Sequence, residues 1–148
     1  MTRNTDPVVK ALEQALADTF TLALKTQNYH WNVVGSNFFG LHNLFEEQYN
    51  DNYAAADEIA ERIRALGAPA PGGLRAFKEI TTVADAQDGI DSKAMIEDLI
   101  ESNEAAAASL KTGVDVAEKA DDVSTADMLT GRITVHDKAA WMLRSLRG

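Results

Sequence analysis

Cysteine is absent from the chain's 148 residues, which excludes disulfides, thiolate metal sites, iron–sulfur clusters and thiol catalysis. Any metal must be held by nitrogen or oxygen. Long apolar runs are missing too. Nowhere do roughly eighteen apolar residues follow one another, and the amino-terminal stretch MTRNTDPVVKALEQ lacks the unbroken apolar segment of a signal peptide. The expectation is a soluble, cytoplasmic protein with no membrane partner. Positive charge is scarce: 14 basic residues stand against 23 acidic ones, a formal net charge of −9. That balance repels nucleic acid and anionic lipid at long range and attracts cations. The length and the 45% hydrophobic content predict one domain, 1–148, with a substantial core.

What is present is helical periodicity. From about Asp6 to Val34, Val9, Leu12, Leu16, Phe20, Ala23 and Val34 share an apolar face, and Asp6 before Pro7 is a good helix start. Gly35, Ser36 and Asn37 interrupt the pattern. A second helix is predicted from about Phe38 to Leu66, with Leu41, Phe45, Ala55, Ile59, Ile63 and Leu66 inward, ended by Gly67. A short helical piece around Arg75 to Ile80 lies within the long connection that follows. A third helix from about Ser92 to Ala120 turns Ile96, Leu99, Ile100, Ala107, Leu110, Val114 and Ala117 inward. A fourth, from about Ser124 to Leu146, offers Leu129, Ile133, Ala140 and Leu143. No strand-like alternation competes. The predicted fold is all-α, a four-helix bundle of the ferritin-like kind, whose long crossover between helices two and three carries a short extra helix.

On the second helix His42, Glu46, Asn50, Tyr53, Asp57 and Glu61 follow one another by three or four, forming a polar stripe. Asp57 and Glu61 are like charges one turn apart, which weakens a helix unless a cation sits between them. A solvated acidic face is the plain reading. His30, near the end of the first helix, and His42, opening the second, flank the Gly35 turn and come to one end of the bundle. Imidazole and carboxylate together suit iron, zinc or manganese. Fifteen positions separate His42 from Asp57, and at about 1.5 Å rise per residue their backbones lie about 22 Å apart. One ion cannot touch both within one subunit. If these groups form one site, His30, His42 and Glu46 must meet Asp57 and Glu61 of a neighbour across a twofold axis, giving an isologous dimer with two equivalent sites.

The run Asn28, Tyr29, His30, Trp31, Asn32, Val33, Val34, Gly35 resembles the Dps family of mini-ferritins. So do Asn37, Phe38, Leu41 and His42, then Phe45, Glu46, Glu47, Gln48, Tyr49, and Asp57 through Arg62. A second block, Asp121, Asp122, Val123, then Asp127, Met128, Leu129, Asp137, Lys138 and Trp141, is similar to that family's last helix and its lead-in. The resemblance spans nearly the whole chain. It implies a dodecameric hollow shell built from twofold dimers, with ferroxidase sites formed by His30, His42 and Glu46 of one subunit and Asp57 and Glu61 of the next. Many family members carry aspartate where this chain has Glu46, so that ligand binds iron directly or through water. No Glu-x-x-His, the pair of ordinary intrasubunit di-iron centres, occurs in the chain.

The resemblance further implies an enzyme whose substrates are ferrous iron and an oxidant, with hydrogen peroxide favoured over dioxygen, and which stores ferric product in the shell and protects against oxidative stress. Zinc or manganese are possible substitutes for iron. Trp31 is either a radical trap or an interface aromatic. Asp122 and Asp127 match the family's threefold pores, with helix capping as the alternative role. Glu47 and Asp51 are possible cavity-lining acids, and His136 reads as a core histidine. Two rival functions remain open. One is a nucleoid protein acting through DNA; only Arg3 and Lys10 precede the first helix core and the chain ends in Leu-Arg-Gly, so DNA binding is expected to be weak or absent at physiological salt. The other is a non-catalytic helical assembly module whose acidic stripe is merely solvated.

Overall fold

The computed structural model describes residues 6–148; Arg3 lies outside them. Five helices follow in order, α1 (Pro7–Asn32), α2 (Phe38–Ala65), α3 (Leu74–Ile80), α4 (Ser92–Lys119) and α5 (Val123–Arg147), with no strand among the described residues. Three helix starts, those of α1, α4 and α5, are capped by an aspartate. Asp6 accepts from the Val8 amide at 2.9 Å with Pro7 in the first turn, and Asp91 accepts from Ala94 in the same way ahead of α4. At the end of α2, Gly67 takes φ +94°. Its amide bonds Arg64 O at 2.9 Å while the Ala68 amide bonds Ile63 O at 3.2 Å. Those paired bonds satisfy the last carbonyls of the helix and reverse the chain. Asp121 does the same for α4 at φ +55°, and the next residue, Asp122, already caps α5.

One expected position is corrected. Val34 does not continue α1 but stands 73% exposed, because Val33 adopts an extended conformation after Asn32 and takes the buried place. The other inward positions named from periodicity are buried or half-buried.

Helix α1 packs on α2, α3 and α4, and α4 packs on α5, so the four long helices form the bundle and α3 rides in the α2–α4 crossover. The core divides along the bundle. One cluster gathers Leu12, Leu16, Ile59, Ile63, Leu110 and Leu129; the other gathers Tyr29, Leu41, Phe45, Met95, Leu99 and Leu143. The α1–α2 turn closes over the second cluster, which is why His30 and His42 lie at that end and Asp57 and Glu61 at the other.

The crossover is tied down by a residue that periodicity alone does not mark. Asp18 is buried on α1, and its Oδ1 accepts from the Thr82 amide at 2.7 Å, the Thr81 hydroxyl at 2.8 Å and the Thr82 hydroxyl at 3.1 Å. Gln14 donates to the same carboxylate and to Ile80 O at 2.8 Å. Charge-assisted bonds of this kind outweigh neutral ones. Asp18→Ala orphans the Thr82 amide and both hydroxyls. It is expected to cost about 2–3 kcal/mol, read as a lowered urea midpoint together with early amide exchange confined to residues 80–83.

Candidate metal centre at the α1–α2 turn

His30 sits in the last turn of α1 and His42 in the second turn of α2. Each ring is held by the other residue's backbone. His30 Nδ1 lies 2.7 Å from His42 O, and His42 Nδ1 lies 2.8 Å from His30 O. A carbonyl only accepts, so each Nδ1 carries the hydrogen and donates it. In the neutral ring the lone pair then sits on Nε2, the arrangement that a metal-ligating histidine needs. The clasp also stacks the two rings, with centroids 3.8 Å apart and planes 16° from parallel.

Two aromatic neighbours limit how these imidazoles can turn. Phe38, one turn before His42 on α2, stacks on it at 4.9 Å, and Tyr49 meets the edge of His30 at 5.2 Å. Both belong to the motifs that carry the family resemblance, but neither was given a role at the site from the sequence. The signal was the spacing of Phe38 to His42, i to i+4, which places two side chains together on any helix.

Of the predicted acids, only Glu46 is near. Its Oε1 lies 3.8 Å from His30 Nε2 on an otherwise exposed side chain. Asp57 and Glu61 are exposed four turns along α2 and do not join the histidines. Among the described residues no three histidine, aspartate or glutamate side chains of one chain converge on a point where a metal could sit. The donor types nonetheless fit a first-row divalent ion: two imidazole nitrogens with fixed tautomer and one carboxylate, with open positions on the solvent side. At the other end Asp57, through a shared hydrogen bond and its charge, raises Glu61 above the usual carboxylate range. A bound cation reverses that mutual repulsion.

The remaining predicted positions are placed as follows. Trp31 follows His30 and is 61% exposed. Asp122 caps α5: it accepts from the Thr125 amide at 3.0 Å and hydroxyl at 2.7 Å, and pairs with Arg62 at 3.0 Å. Burial pushes its carboxyl up, but the Thr125 bonds and the Arg62 guanidinium more than offset this and leave it below the usual range. The capping role expected as an alternative is therefore filled. Asp127 is exposed and shares a shallow hollow with Glu118, Asp121 and Asp122 at the α4–α5 turn.

His136 is 1% exposed, as a core histidine should be. Burial, then the charge of Arg132, lowers its pKa from 6.5 to about 4. The folded chain thus refuses a proton that the unfolded chain accepts below about pH 6.5. Stability is fully present above that pH and falls as pH drops toward about 4, by about 3 kcal/mol from this group. Urea unfolding at pH 7.5 and 4.5 is expected to show a smaller acid loss in His136→Gln than in the parent chain.

The comparisons with known proteins agree with this architecture. A family model described as Ferritin-like domain matches residues 9–148. DNA protection during starvation protein 2 of Bacillus anthracis is 38% identical over 93% of this chain and 94% of its own length. The crystal structure of Dps from Staphylococcus aureus superposes with a TM-score of 0.92 at 37% identity, covering 95% of each chain. That of a Dps protein from Vibrio cholerae O1, described as a member of a broad superfamily of ferritin-like diiron-carboxylate proteins, gives 0.90 at 28% identity, covering 95% of this chain and 89% of the other. With the family model matched over residues 9–148 and the same fold at 37% identity over 95% of the chain, this chain belongs to the Dps family of ferritin-like proteins.

Proposed function

We propose that the protein serves iron-related protection of the Dps type, and does so as a ferroxidase whose sites are shared between two subunits of a dodecameric shell. His30, His42 and Glu46 of one copy bind ferrous iron together with Asp57 and Glu61 of its dimer mate. The observation that carries this reading is the reciprocal His30–His42 clasp, which occupies both Nδ1 atoms and leaves the Nε2 lone pair of each ring free for a metal. One chain alone provides too few ligands to use them. Exposed apolar side chains beside the clasp, Trp31, Val34 and Phe39, offer a surface that a second copy covers.

The chemistry follows from charge. Carboxylates favour the higher oxidation state of iron, so binding of ferrous iron eases its oxidation. Two ferrous ions give one electron each to one hydrogen peroxide, whose O–O bond breaks to yield two hydroxide equivalents and no hydroxyl radical. Ferric product collects in the shell. Peroxide is the preferred oxidant; zinc or manganese compete for the site. Asp127, with its acidic neighbours at the α4–α5 turn, admits cations through the shell, and Trp31 intercepts stray oxidising equivalents.

Anaerobic addition of ferrous iron followed by peroxide tests the proposal. A prompt ferric absorbance rise at two irons per peroxide is expected, and zinc is expected to slow it. A response indistinguishable from iron in buffer would leave a non-catalytic assembly module. The nucleoid reading is tested by gel shift: with 23 acidic residues against 14 basic, duplex DNA is expected to run free at 0.15 M salt. Salt-resistant retention overturns that expectation. No helix among the described residues is long and apolar enough to cross a membrane.

A further inference from the structure

The least closed seam of the bundle runs between α2 and α5, which barely touch. A cavity of about 240 Å³ sits in it, with Leu44, Val135, Ala139 and Met142 as its apolar walls. Gln48 and His136 also line it, and each has a buried nitrogen without a partner: Nε2 of Gln48 and Nε2 of His136.

The two orphans are chemically opposite. Asn103 donates its amide nitrogen to Leu99 O at 2.8 Å, so its Oδ1, 2.9 Å from His136 Nδ1, must accept. Nδ1 therefore carries the hydrogen and His136 Nε2 presents a bare lone pair. Gln48 Nε2 is a donor with nothing to receive its hydrogens. Buried groups left in this state are costly, and a ligand that satisfies both recovers that cost. A hydroxyl does so: its hydrogen goes to His136 and its oxygen accepts from Gln48. Charge is disfavoured. The cavity's edge carries both signs, Glu47 and Asp51 against Lys138, with Asp51 paired to Arg132 at 2.9 Å, so neither a cation nor an anion finds an uncompensated countercharge there.

We infer that the α2–α5 cleft is a binding site for a small uncharged organic molecule that carries a hydroxyl on an apolar body, phenol being the simplest case. An apolar cavity of roughly 150 Å³ already admits benzene, so this one has room for a ring and its oxygen. The site is separate from the α1–α2 turn and does not depend on the iron reading.

The test uses the assembled protein with ¹³C-labelled methionine methyls. Of the chain's four methionines, Met142 lines the cleft, and among the described residues Met95 and Met128 do not. Phenol is expected to shift the Met142 methyl saturably and leave the others in place, and toluene to bind about tenfold more weakly. Gln48→Leu removes the donor and is expected to weaken phenol about tenfold without weakening toluene. Val135→Phe fills the cavity and is expected to abolish both. The inference is overturned by equal affinity for phenol and toluene, by phenol binding unchanged in Gln48→Leu, or by no saturable Met142 shift. The last is the result if Gln48 simply closes onto His136. Ferrous oxidation by Gln48→Leu is expected to match the parent, so the two readings fail independently.

Discussion

Subunits carrying His30→Ala with His42→Ala, co-assembled in equal amounts with subunits carrying Asp57→Asn with Glu61→Gln, are expected to recover about a quarter of the parent ferroxidase activity, although each pure assembly has lost it. The reason is symmetry. A shared site takes imidazoles from one copy and carboxylates from the other. A mixed dimer therefore holds one site with every ligand and one site that keeps only Glu46. Random pairing makes about half the dimers mixed, hence about a quarter of all sites intact. Loss of a supporting partner of a metal ligand costs roughly 10–100-fold, so removal of two ligands leaves a background well below the recovered signal. Particle mass is checked in parallel, because the histidine substitutions also remove the bonds to His42 O and His30 O that close the turn. Assembled mixtures with no more activity than the pure variants would falsify the shared site. Full activity in assemblies of the acid variant alone would confine catalysis to the histidine end.

The second large effect concerns stability. Lys25 is 2% exposed in the interior between α1 and α4, an unusual place for an ammonium group. Its Nζ lies 2.9 Å from Asp98 Oδ2 and donates to the Ser102 hydroxyl at 2.8 Å. Tyr29 donates its hydroxyl to the same Asp98 oxygen and accepts from the Gln87 amide at 3.0 Å. Burial, then the bond to Asp98, pushes the Tyr29 phenol well above its ordinary range, so it remains a donor. Asp98→Ala leaves a charged amine without its counterion and a phenol without its acceptor. Breaking a buried pair from one side costs about 3–5 kcal/mol, on the order of 10 °C in melting temperature for a chain of this size. The double substitution Lys25→Met with Asp98→Leu is expected to regain the part of that loss due to the stranded charge, leaving only the Tyr29 hydroxyl without its acceptor. Thermal melts of the three assembled proteins decide the matter. A single variant within 1 °C of the parent overturns it.

These two predictions draw on different sources. The first was legible before any coordinates: if His42, Asp57 and Glu61 serve one site, their spacing along α2 already requires two chains, and the family resemblance implies the same residues. The second was not. Nothing in the periodicity of α1 says that Lys25 turns inward, because its partners Asp98 and Ser102 are more than 70 positions away. Asp18 is a similar case. It falls among the buried residues of α1, yet only the path of the crossover shows that Thr81 and Thr82 need an acceptor there.

By itself the sequence determined the all-helical class, the four long helices, the start of α1 at Asp6 and Pro7, the end of α2 at Gly67, the short helix in the crossover, and which residue types line α2. These are local matters. A helix repeats every 3.6 residues and is punctuated by Asp, Pro and Gly, so a window of a few turns contains the answer. Only the tertiary structure decided the His30–His42 clasp that sets both tautomers, the burial of Lys25 against Asp98, the pairing of Arg62 with the Asp122 cap, and the cleft that Gln48 and His136 line. Each of these depends on the distance between groups on different helices. That distance is set by how whole faces pack, at interaxial spacings of about 8–10 Å, and not by the pattern along any one of them.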